Sequence, residues 1–94
     1  MRAMILPGIA SLRATDLPLE LVDLPVPEPK PDEIRIRVHV CGVCHTELDE
    51  IEGRAKPPKF PVVLGHEVVG HIDQLGSRIT RWKEGARVGV GWIH

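Results

Sequence analysis

Ninety-four residues, 43% of them apolar and 27% charged, make one small globular domain that is too hydrophobic to be a disordered chain. A net charge of −1 gives no electrostatic case for nucleic acid or an anionic membrane surface, and no apolar run is long enough to span a bilayer. Two cysteines, Cys41 and Cys44, cannot frame a disulfide scaffold, and Met4-Ile5-Leu6 is broken at Pro7-Gly8 before it could serve as a signal-peptide core, so the cytoplasm is the expected compartment.

Ala3 to Leu6 reads as a first short strand and Leu19 to Leu24 as a second. Pro25, Pro27, Pro29 and Pro31 then alternate with other residues. Because proline fixes φ and disfavours helix in the residue before it, this segment must be extended, a rigid connector rather than a ligand for a proline-binding partner. From Glu33 to Cys41, Ile34, Ile36, Val38 and Val40 alternate with Arg35, Arg37, His39 and Cys41, the period of a half-buried strand. At Gly42 the pattern stops. Leu48 and Ile51 among acidic neighbours predict one short helix over Cys44 to Glu52 that ends at Gly53, with Thr46 and Glu47 near its positive end. Arg54 to Pro61 is a loop, Val62 to Leu75 is strand-like with a bend or bulge at Gly65 or Gly70, and Arg87 to Val90 is a last strand. Many short strands, Pro/Gly turns and one short helix predict a mostly-β, barrel-like domain over residues 1–94.

Chemistry concentrates in Val40-Cys41-Gly42-Val43-Cys44-His45-Thr46 and in Gly65-His66-Glu67. Zinc accepts Cys sulfur, His nitrogen and carboxylate oxygen. The wide separation of Cys44 from His66 suits ligands arriving from separate elements rather than a finger. Taken alone, a cysteine such as Cys44 is more often a small buried hydrophobe than a metal ligand. Cys41-x-x-Cys44 lacks both the βαβ context of a redox pair and the second Cys-x-x-Cys of a zinc ribbon, and Cys41 reads as structural. His66-Glu67-x-x-x-His71 has one residue too many for the helical metalloprotease motif. His39, His71 and His94 are expected to have no metal role.

Cys-Gly-Val-Cys-His-Thr followed by Gly-His-Glu resembles the N-terminal, GroES-like catalytic domain of zinc-dependent alcohol dehydrogenases of the medium-chain dehydrogenase/reductase family. The opening Met-Arg-Ala-Met, the Pro-rich segment and Gly85-Ala86-Arg87-Val88-Gly89-Val90 fit the same pattern, so the resemblance covers nearly the whole chain. It implies a partly open GroES-like β-barrel. It also implies a catalytic zinc held by Cys44, His66 and a further cysteine, the two-cysteine, one-histidine set established for alcohol dehydrogenases. Glu67 is implied as the neighbouring carboxylate, able to hold a ligand or touch the metal. Thr46 matches the hydroxyl that begins the proton relay, and is also an ordinary residue for a helix start. His45 matches the contact to the cofactor pyrophosphate, and is equally a solvated histidine. Trp92 matches a pocket-lining aromatic, and a partly exposed core residue is the simpler reading. Glu47 stands where the family has Asp, Asp49 where many members have a relay histidine, and Ala86 where Gly-Asp-Arg-Val is usual.

The resemblance implies a small alcohol or aldehyde as substrate and NAD(P) as cofactor. The third cysteine and the structural-zinc lobe are expected beyond His94, and no G-x-G-x-x-G is present, so NAD(P) would need a dinucleotide-binding domain supplied from elsewhere. On this reading the chain is a catalytic-domain portion, inert alone, working as a homodimer or with a complementary dehydrogenase chain. The alternative is a stand-alone GroES-like binding or oligomerisation module. A co-chaperonin is a third reading, against which the cysteine-histidine motif speaks.

Overall fold

Short apolar-alternating segments, stopped by Pro and Gly, produce five strands and one helix among residues 1–91, the residues that the computed structural model describes. In chain order they are β1 (Arg2–Ile5), β2 (Glu20–Asp23), β3 (Ile34–Gly42), α1 (His45–Glu52), β4 (Glu67–Leu75) and β5 (Arg87–Val90). β1 and β2 form a two-stranded antiparallel sheet, and β3-β4-β5 form a three-stranded antiparallel sheet. The domain is thus mostly β with one short helix, and neither sheet closes into a barrel among the described residues. Among the described residues, no helix is long and apolar enough to cross a membrane. The chain divides into two units, Met1–Pro25 with Val43–Gly65, and Val26–Gly42 with the residues from His66 onward.

In the first unit, β1 and β2 pair from Arg2 opposite Asp23 to Ile5 opposite Glu20. Leu6 then exchanges backbone hydrogen bonds with Val62, at 2.8 and 3.1 Å, and its side chain is fully buried. Burial of a leucine contributes about 1.5–3 kcal/mol, so Leu6 is a principal anchor of this unit. An eight-residue helix is too short to be stable alone and must be held by its surroundings. Helix α1 is held at Ile51, which is buried and whose carbonyl accepts the Ala10 N–H at 2.9 Å. The Leu12 N–H donates to Glu52 Oε2 at 3.3 Å. Gly53, at φ 84°, ends the helix in the left-handed conformation that glycine adopts without steric cost. The expected apolar face of Leu48 and Ile51 is only half realised. Leu48 is exposed, and Glu47, one turn before Ile51, is buried instead.

In the second unit, β3 and β4 run antiparallel with two compensating irregularities. Arg35 pairs with Gln74 and Ile36 with Ile72, which makes Asp73 the extra residue on β4. Val38 pairs with Gly70 and Val40 with Val69, which makes His39 the extra residue on β3. The expected half-buried alternation is not realised: Ile34, Arg35 and Ile36 are all partly buried, and Val38 and Val40 are exposed. Gly70 lies beside a bulge, since its partner Val38 is followed by the extra residue His39. It sits within β4, where a Cβ would collide with the Arg37 carbonyl oxygen, so the glycine permits close strand approach. The expected strand from Val62 starts late, at Glu67, and Gly65 at φ 123° marks the turn just before it.

Ile72 is the fully buried centre of this sheet. The Pro-rich segment contains no regular element from Leu24 to Lys30 and is pinned by polar contacts. Arg35 Nη1 donates to the Pro27 carbonyl at 3.2 Å, and Gln74 Nε2 donates to Glu28 Oε2 at 3.1 Å. Arg35 Nε also donates to Asp73 Oδ1 at 2.8 Å, so the bulged residue anchors the arginine that holds the segment.

Candidate metal centre

Strand β3 ends at Gly42, and two residues later Cys44 caps helix α1. Cys44 has extended backbone torsions (φ −130°, ψ −177°), as an N-cap requires, and its Sγ accepts the Thr46 backbone N–H at 3.4 Å. In return, Glu47 Oε2 accepts the Cys44 backbone N–H at 2.7 Å. This is a capping box in which cysteine stands where serine or threonine is usual. The two contacts fix the rotamers of the thiol and of the carboxylate together. Glu47 is only 7% exposed, the one buried charged side chain among the described residues.

His66 lies immediately before β4, with its side chain about one-fifth exposed. Its Nε2 is 3.7 Å from Oε1 of Glu67, which opens β4 and is half exposed. Gly42 pairs with Glu67 across the sheet, and a Cβ on Gly42 would run into the Glu67 carboxylate. The bare backbone at Gly42 therefore leaves room for that carboxylate.

Cys44 and Glu47 bring a thiol and a carboxylate together at the start of α1 in the first unit, and the Gly-His-Glu motif adds the imidazole of His66 at the start of β4 in the second. A thiol, an imidazole and a carboxylate are the three side-chain types that zinc takes, so the donor set fits that metal. The carboxylate that contacts Cys44 is Glu47, while Glu67, the carboxylate that the motif points to, stands beside His66. The signal for Glu47 is present in the chain as Cys-x-x-Glu at a helix start, a capping-box spacing that normally opens with Ser or Thr.

Thr46 and His45 occupy the first turn of α1. Thr46 contributes its backbone N–H to the Cys44 cap and is partly exposed. His45 is largely exposed, with Nδ1 3.4 Å from Asp49 Oδ2 one turn on. Asp49 also accepts from Arg54 Nε at 2.8 Å. The hydrogen bond from Arg54, more than the one from His45, holds the Asp49 carboxyl below its ordinary range. Cys41 is exposed on β3 and free of any disulfide. Trp92, expected in the substrate pocket, lies outside the described residues, as does His94.

Comparison with known proteins gives this geometry a family. The alcohol dehydrogenase GroES-like domain matches residues 30–94. An alcohol dehydrogenase of Rhizobium meliloti (strain 1021) is 44% identical over 89 residues, covering 90% of this chain and 25% of that protein. The crystal structure of an NAD-dependent alcohol dehydrogenase superposes with a TM-score of 0.80 at 32% identity, covering 95% of this chain and 25% of the other. A protein of Sinorhizobium meliloti 1021, solved bound to NADP, superposes with a TM-score of 0.78 at 30% identity, covering 92% and 23%. The chain spans about a quarter of the length of these relatives. It belongs to the alcohol dehydrogenase GroES-like domain family.

Proposed function

We propose that this chain is the zinc-binding portion of the catalytic domain of an NAD(P)-dependent alcohol dehydrogenase acting on a small alcohol or aldehyde. The observation that carries the reading is the capping box that pairs the motif's ligand cysteine, Cys44, with the carboxylate of Glu47, in a chain of this family. Cys44 and His66 would hold the metal, together with a cysteine from outside this chain. When bound, zinc supplies a Lewis acid that polarises the substrate oxygen.

The chain's own residues have distinct tasks in this reading. The capping box holds the Cys44 sulfur at the mouth of α1, so that the ligand is oriented before metal arrives. Buried Glu47 keeps the N–H of Cys44 occupied and supplies a carboxylate beside the sulfur. Thr46 takes the proton of the substrate hydroxyl at its own Oγ1 and passes it outward. His45, exposed at the first turn of the helix, meets the cofactor's phosphates. The NAD-dependent and NADP-bound relatives support a nicotinamide cofactor for the whole protein. Glu67, with room beside Gly42, is the reserve carboxylate.

The test is elemental analysis of zinc per chain after zinc is added in modest excess and removed by gel filtration. Wild type is expected to hold close to one zinc, and Cys44→Ser and His66→Ala almost none. If wild type emerges free of zinc, or if Cys44→Ser retains as much as wild type, the metal reading fails. The stand-alone interaction module is the competing reading, and the exposed Val38 and Val40 on β3 favour it. It requires a metal-free protein that still sediments as a dimer or larger.

A further inference from the structure

The two irregularities of the β3–β4 ladder have a chemical consequence away from Cys44 and His66. In a regular antiparallel ladder, Arg37 is the direct partner of His71, and a residue two further along β3 would lie diagonally off it. The extra residue His39 breaks this spacing, and such a bulge re-aims the side chain it carries. His39 Nε2 consequently comes to 2.7 Å from His71 Nδ1, with ring centroids 4.8 Å apart and the planes inclined by 68°. The sequence offers no reason to join residues 32 positions apart. The register does it.

We propose that His39 and His71 form a two-imidazole chelate for a divalent transition ion of tetragonal preference, Cu²⁺ or Ni²⁺, on the solvent-facing side of the β3-β4-β5 sheet. Two imidazole nitrogens each about 2.0–2.1 Å from one ion lie about 2.9 Å apart at a right angle and about 3.4 Å apart at a tetrahedral angle. The observed 2.7 Å is close to the right-angle spacing, which is the preference of Cu²⁺ and Ni²⁺ with nitrogen ligands. The two facing nitrogens now share one N–H, which one ring donates and the other accepts. Moving that proton to the far nitrogen of its own ring gives both rings a free lone pair facing the other, with no net loss of protons. The ion then replaces the shared hydrogen. His39 is exposed and His71 partly so, which leaves water to complete the coordination.

The charged groups aligned with His71 work against the ion. Arg37 on β3 and Arg87 on β5 are its direct ladder partners, and both are exposed. Their repulsion weakens binding without abolishing it, because exposed charges are screened by solvent and salt. Removing one of them should therefore tighten the site.

The site is independent of the proposed zinc centre and is tested in the Cys44→Ser background, where that centre is disabled. Ni²⁺ is titrated calorimetrically into Cys44→Ser, Cys44→Ser/His39→Ala, Cys44→Ser/His71→Ala and the volume-conserving Cys44→Ser/His71→Gln. Each histidine variant is expected to bind about 100-fold more weakly than Cys44→Ser, the loss that follows when a second tethered ligand is removed. Ni²⁺ should also raise the melting temperature of Cys44→Ser and leave the histidine variants unmoved. Cys44→Ser/Arg87→Gln should bind more tightly than Cys44→Ser. Circular dichroism checks that each variant is folded. Equal Ni²⁺ affinity in Cys44→Ser and in folded Cys44→Ser/His71→Gln overturns the proposal.

Discussion

Serine is the stronger N-cap of the pair, since its hydroxyl accepts a backbone N–H at shorter range than sulfur, while it is a poor ligand for zinc. Cys44→Ser should therefore leave the thermal stability of the metal-free protein unchanged or slightly higher, whereas Cys44→Ala should cost about 1 kcal/mol, as loss of a cap does. Chemical denaturation of wild type and the two variants without metal checks this, and a Cys44→Ala as stable as wild type would show that the sulfur is no cap. Glu47 completes the box through Oε2, so Glu47→Ala should be destabilising by a similar amount even before any metal is considered. The residues at this corner were only partly readable in the chain. Cys44 and His66 stand out through their motif, but Glu47 reads as one more acid suited to a helix start. Its burial is decided by the packing of α1 beside Ile51, which no local pattern reports.

Strand β4 must pass close to β3 where Gly70 faces Arg37 and Ile36. A methyl there meets backbone, which cannot swing aside, so Gly70→Ala should destabilise the sheet by about 1–3 kcal/mol, the range for overpacking. Gly85, at φ 86°, has open space around its Cβ position, so any loss on Gly85→Ala reports backbone torsion alone, and the two variants compared by denaturant midpoint separate clash from torsion. At the end of α1, Arg54 donates to Asp49 and to Glu52 at 2.8 and 2.9 Å. Both carboxyls are thereby held below their ordinary values of 3.8 and 4.5, Glu52 with further help from the Leu12 N–H. A lowered carboxyl value stabilises the fold above the ordinary value and loses that effect as the pH falls through the folded one. Wild type should therefore be more stable than Arg54→Gln at neutral pH, and the gap should close in acid below 3.8. A gap that persists there would mean that Arg54 acts through packing. The alternation from Ile34 and the Gly53 stop forecast β3 and α1 almost to the residue. The bulges at Asp73 and His39 were invisible because register depends on a partner strand.

At the scale of the whole chain, the relatives that share this fold are about four times as long, so this chain spans about a quarter of each. The sequence holds no G-x-G-x-x-G after a strand, the element that seats a nicotinamide's pyrophosphate on a helix N-terminus. Helix α1 does not replace it, because Cys44 and Glu47 already occupy its first N–H groups. Hydride transfer requires the nicotinamide ring to be held against the substrate carbon, and positioning of this kind contributes about 7–11 kcal/mol to such reactions. The 94-residue chain loaded with zinc is therefore expected to produce no NADH or NADPH from small primary alcohols and to leave the fluorescence of added NADH unchanged. Turnover or NADH binding that disappears in His45→Ala would show that the fragment makes its own cofactor site. Appearance of activity only after mixing with a chain that carries a dinucleotide-binding domain would instead locate the missing contribution in that partner, with Cys44, Thr46 and His66 on this chain then required for the restored rate.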